Sequence, residues 1–196
     1  MLDPKQKNLM ILIAVAAAVL GTPVAASAAF DFLNIRVALV YTNAEKVTGG
    51  QFTTAALIPQ NGGGQAQLKF GYGIITGEGV IVSTSHAGVL DSEKQHNNPN
   101  NPVFHNHYVT LKQDAADCDT NSQGQPNLAV DKITFESPGK IFVFGNTILL
   151  SNLPKSSEGI SQNNDIKGVV SFKLTPGENN AVCVTDIKPA KKVVEI

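Results

Sequence analysis

Apolar and polar positions alternate with a period of two along much of the chain. Ile35, Val37, Leu39 and Tyr41 interleave with Arg36 and Ala38 over residues 35–41, and Phe52 to Ile58 is rich in threonine and apolar residues. Both patterns are those of half-buried strands, in which successive side chains point to opposite faces. Short runs of the same kind follow at residues 67–70, 73–76, 79–83, 103–111, 128–135, 141–144, 147–150, 168–174 and 181–187. Turn formers separate them: Asn61-Gly62, Gly77, Ser137-Pro138-Gly139, Gly145-Asn146, Leu153-Pro154 and Pro176-Gly177. Gly145-Asn146, between two short strands, has the composition of a tight hairpin turn with positive φ. Past the N-terminal region no stretch carries a capped helical stripe, which argues against βαβ units and a parallel sheet. The pattern predicts an all-β fold, an antiparallel β-sandwich of immunoglobulin-like or jelly-roll-like type.

The first 28 residues differ from this pattern. Lys5 and Lys7 precede an apolar run from Leu9 to Leu20, Gly21 and Pro23 break it, and Ala26-Ser27-Ala28 supplies small residues for cleavage. This is the layout of a signal peptide with a helical core, and it predicts export with a mature chain beginning at Ala29. A retained anchor is the alternative, because the apolar stretch extended to Ala29 approaches the roughly 20 residues of a membrane-spanning helix. Gly21, Thr22, Pro23 and Ser27 weigh against it. Residues 29–196 read as a single domain, with no Pro/Ser linker or charge block dividing them. Gly62-Gly63-Gly64 and residues 97–102 read as loops.

Composition extends the picture in two respects. Cys118 and Cys183 are the two cysteines, and an even count in an exported chain predicts one disulfide, joining an Asp-rich loop to a C-terminal strand. The formal net charge of −1 gives no basic footprint for nucleic acid and no strong field for charged partners. Membrane contact is expected through the leader alone, if it is uncleaved. The apolar segment Ala29–Asn34 and the tail Val193-Val194-Glu195-Ile196 both have strand character. They are expected to close the protein's own sheet, with strand addition between copies as the alternative.

The candidate chemistry is histidine. All four histidines, His86, His96, His105 and His107, fall within one short span. In a strand the side chains at i and i+2 share a face at roughly 7 Å, so His105-Asn106-His107 presents two imidazoles side by side. His86 or His96 is the expected third ligand. Asp91, Glu93, Asp114 and Asp117 could add a carboxylate, and three or four such ligands suit zinc or copper. The structural alternative is a pair of core histidines bonded to backbone, since Val103, Val109 and Leu111 share their strand face.

Sharper chemistries fail on their required residues. A blue-copper centre needs a cysteine beside two histidines and usually a methionine, yet no histidine follows Cys183 and both methionines lie in the leader. Ser83, Ser85 and His86 lie close in sequence, but there is no G-x-S-x-G elbow. Glu78 and Glu136 are two acids on separate strands, which any surface supplies. An enzyme is therefore not the first expectation, and no catalytic residue is assigned.

The segment Val103-Phe104-His105-Asn106-His107 resembles the H-x-H strand of copper/zinc superoxide dismutases, which are sandwiches with one disulfide. That family takes further metal-binding histidines from later in the chain, and here none follows His107, so dismutase activity does not carry over. Ser85-His86-Ala87-Gly88-Val89-Leu90-Asp91, Phe104 to Val109 and Val182 to Ile187 resemble uncharacterised secreted proteins of archaea, a resemblance that implies export and no activity. The sequence thus predicts a secreted or cell-surface, non-catalytic binding or structural module. Its first rival is an extracellular metal-binding protein using the histidine cluster, and a self-assembling surface subunit or homo-oligomer is a further alternative.

Overall fold

The computed structural model describes residues 28–59, 69–86, 104–114, 116–118 and 128–196. The expected leader, all but its last residue, lies outside them. Thirteen strands are described: β1 (Ile35–Thr42), β2 (Val47–Thr54), β3 (Phe70–Thr76), β4 (Val80–Ser85), β5 (His105–Gln113), β6 (Leu128–Ile133), β7 (Lys140–Phe144), β8 (Thr147–Ser151), β9 (Ser156–Ser157), β10 (Ile160–Ser161), β11 (Ile166–Pro176), β12 (Val182–Pro189) and β13 (Val193–Glu195). No α-helix is present among the described residues, and no helix there is long and apolar enough to cross a membrane.

The all-β class is as the alternation predicts, but the strands are not divided between two open sheets. Six close into a barrel in the order β11-β12-β6-β5-β4-β3, and five form a sheet in the order β13-β1-β2-β8-β7. The short pair β9–β10 stands apart. All pairings are antiparallel except β1 with β13, which is parallel. The tail thus closes the protein's own sheet. The segment expected as an N-terminal strand is instead a 3-10 turn, Ala28–Leu33. Its backbone is held from the barrel: the Tyr72 hydroxyl donates to the Phe32 carbonyl at 2.8 Å, and Ser171 Oγ donates to the Leu33 carbonyl.

Other boundaries also moved. Phe70 of the run 67–70 and the run 73–76 belong to one strand, β3, in which Gly71 pairs with Thr84; residues 67 and 68 lie outside the described residues. The run 52–58 is out of step: β2 begins at Val47 and ends at Thr54. The β7–β8 turn is at Gly145-Asn146 as expected, with φ of 59° at the glycine.

Period-two alternation gives the barrel strands two apolar faces and the molecule two cores. Phe70, Tyr72, Ile74, Ile81 and Tyr108 point out of the barrel and pack with Ala38, Val40, Phe52, Ile148 and Leu150 of the five-stranded sheet. Ile75, Val80, Val82, Val109, Val170, Phe172, Val184 and Ile187 form a second cluster on the opposite, lumenal face. The aromatic rings are concentrated in the first core, where Phe70 meets Phe104 edge-on with centroids 5.6 Å apart. Burial pushes the Tyr108 phenol up to about 12, and its hydroxyl donates to the Pro154 carbonyl at 2.5 Å.

Cys118 and Cys183 form the disulfide, with Cα atoms 5.7 Å apart. It packs on Ala129, outside the barrel lumen, and joins the turn after β5 to β12.

Candidate metal centre

The centre is built where β4 ends and β5 begins. In their antiparallel register Thr84 faces His105 and Val82 faces His107, so His86, one residue past β4, reaches the β5 pair. His105 and His107 are 3% and 2% exposed, and His86 is half-buried. One ligand atom from each of the three rings lies within 4.8 Å of the other two.

The rings are disposed for convergence. His86 and His105 meet edge-on at 4.7 Å between centroids, as do His105 and His107 at 4.6 Å, while His86 and His107 are nearly parallel at 6.1 Å. Nε2 of His105 is 3.0 Å from Nε2 of His86. Two such nitrogens can share one proton at this distance, or they can share a cation. With metal–nitrogen bonds of about 2.0–2.1 Å, tetrahedral ligand nitrogens stand about 3.3 Å apart, so small ring rotations convert one arrangement to the other.

His107 Nδ1 lies 2.6 Å from the Thr134 carbonyl oxygen. A carbonyl only accepts, so Nδ1 carries a proton, and in the neutral ring Nε2 carries the lone pair. Fixing one ring nitrogen on a backbone carbonyl is how proteins orient and tune a ligating histidine. Between the two β5 histidines, Asn106 turns to the opposite face. Its Oδ1 accepts from Ser83 Oγ at 2.7 Å, its Nδ2 donates to the Pro138 carbonyl at 3.0 Å, and its backbone N–H donates to Ser137 Oγ at 3.0 Å. These bonds lock the strand's rotation and hence the direction in which both imidazoles point.

The remaining sequence candidates divide into two sets. His96, Asp91 and Glu93 lie outside the described residues. Asp114 and Asp117 follow the far end of β5, away from the histidines. There Asp114 pairs with Lys112 at 2.8 Å and accepts the Asp117 backbone N–H at 3.1 Å, contacts that hold its carboxyl below the usual range. Those acids shape the disulfide turn. Among the described residues the metal-ligating cluster is His86, His105 and His107.

Thr134 and Asn106 were not singled out by sequence reasoning. Asn106 sits inside the H-x-H triplet and, as the residue on the other face, was the one legible signal. Compared with family models, curated proteins and solved structures, the chain matches none.

Proposed function

We propose that the protein is an exported metal-binding protein that holds zinc or copper(II) on His86, His105 and His107. The convergence of three buried or half-buried imidazoles within 4.8 Å carries this reading, and it reverses the order the sequence suggested, in which a binding or structural module came first. Three neutral nitrogen ligands leave a tetrahedral ion one position for water or a ligand. Imidazole suits both metals, and at equal availability copper(II) binds such a site more tightly than zinc. The Cys118–Cys183 disulfide supports an oxidising, extracellular location, in line with the leader-like N-terminal residues. The open sheet packed on one wall of the barrel supports a two-layered, sandwich-like description of the fold.

Electron paramagnetic resonance of the copper(II)-loaded chain tests the ligand set. The reading predicts one copper per chain with coupling to three imidazole nitrogens, reduced by one nitrogen in His86→Ala and abolished or scrambled in His107→Ala. A spectrum that is the same in all three single His→Ala variants would contradict it.

A further inference from the structure

The barrel is underfilled. Its lumen holds a cavity of about 580 Å3 that runs from mid-barrel to the mouth where the histidines stand. Six strands ordinarily enclose less room than eight, and eight give an interior that side chains just fill or that holds one small ligand. Two features account for the space.

The first is stagger. From Val184 the pairing runs through Leu128 to Gln113, the last residue of β5. From the adjacent Thr185 it runs the other way through Lys173, Phe70 and Ser85, beside the Thr84–His105 pair at the first residue of β5. One circuit of the barrel therefore slides by nearly the length of a strand. Such a shear tilts strands steeply against the axis and widens a barrel of fixed strand number. The second is side-chain volume. Val80, Val82, Val109, Val170 and Val184 line the cavity, with Phe172 the one aromatic within the barrel strands, while the larger rings of β3 and β5 face the outer core.

We infer that the lumen binds an apolar small molecule with a carboxylate head, of the fatty-acid class. A volume of about 580 Å3 lies within the roughly 300–1,000 Å3 of small-molecule sites. The wall is mostly aliphatic, so it selects an apolar body by burial. The polar groups on the wall are His107, Thr84, His86, Thr175, Asn180 and Lys69, and among the described residues Lys69 is the one lysine there. An apolar tube with a cation at its rim places the chain inside and the head at the rim. This inference stands on the cavity and does not require metal on the histidines.

The test uses the full chain in its exported form, both metal-stripped and metal-loaded. N-phenyl-1-naphthylamine should gain fluorescence with one site per chain, dodecanoate should displace it, and dodecanoate should raise the melting temperature of the wild type. Val82→Trp or Val170→Phe, either of which fills the lumen, should weaken binding at least tenfold. Phe142→Ser/Phe144→Ser, which removes rings exposed on β7, should leave binding unchanged. Lys69→Ala should weaken dodecanoate about tenfold and spare dodecanol. Should the lumen variants fail to fold, a diazirine-bearing dodecanoate on the wild type should label β4, β5 or β11. Absence of both displacement and thermal shift in the wild type overturns the inference, as does probe binding lost only in the β7 variant or labelling confined to β7. Equal effects of Lys69→Ala on acid and alcohol overturn the carboxylate head.

Discussion

Gly71 shows what a single inward position decides in this barrel. A Cβ there would lie 2.6 Å from the Phe172 ring and 2.8 Å from the Ser83 carbonyl oxygen, so Gly71→Ala forces ring and backbone apart. The expected cost is about 1–3 kcal/mol, read as a lower midpoint in chemical denaturation, and an unchanged midpoint would show that Phe172 has room to move. Asp114 gives a pH-dependent counterpart. Its carboxyl is held low, first by the Lys112 side chain and then by the backbone N–H of Asp117. A depressed value means the folded state is favoured by the ionised form at pH above the ordinary aspartate value of about 3.9, and that this contribution is lost as pH falls through the folded-state value. Asp114→Asn should therefore lower stability at neutral pH and narrow the gap to the wild type in acid denaturation. A gap that is constant with pH would contradict this. At this scale much of the site was legible: the period of two put His105 and His107 on one face before any fold was known. Thr134 was not, because its part is played by a backbone carbonyl, which no side-chain pattern announces.

At the scale of elements, the disulfide and the strand ladder answer different questions. The Cys118–Cys183 bridge closes a separation of 65 residues and ties the turn after β5 to β12, beside Gly177, where any Cβ would strike the Asp117 carbonyl oxygen at 2.4 Å. In the chain-entropy model a loop of this length is worth about 4 kcal/mol, so reduction, or Cys118→Ala/Cys183→Ala, should lower the melting temperature by roughly 10 °C. A variant as stable as the wild type would place the stabilisation elsewhere. The bridge was legible from the even cysteine number and the compartment the leader-like residues led one to expect. Most strands were legible too, because each has its own alternation and turn residues. Where the bounds of β2 and β3 slipped, glycines lie in the ladder: Gly49 and Gly71 sit where backbones and rings approach closely, and a glycine adds no side chain to an alternation. β9 and β10, two residues each, are too short to carry a period.

For the whole molecule, the decisive facts are pairings between residues far apart in sequence, which alternation cannot encode. A sequence of short amphipathic strands fits a sandwich or a barrel equally well; closure depends on β3 accepting β11 and β12 accepting β6. The β4–β5 pairing sets His86 beside the β5 histidines, and closure turns that edge into the mouth of an apolar lumen. The account rests on that triad holding an ion, and the most direct measurement is the metal content of the chain purified without chelator, with titration by zinc and copper(II). The wild type should hold close to one ion per chain, and saturation should raise its melting temperature, by roughly 2.7 kcal/mol of stabilisation at a free concentration one hundred times Kd. His86→Ala/His105→Ala/His107→Ala should hold none and show no rise. A wild type that carries no metal, and whose melting temperature neither ion moves, would contradict the account and leave the three histidines as a hydrogen-bonded cluster at the barrel mouth.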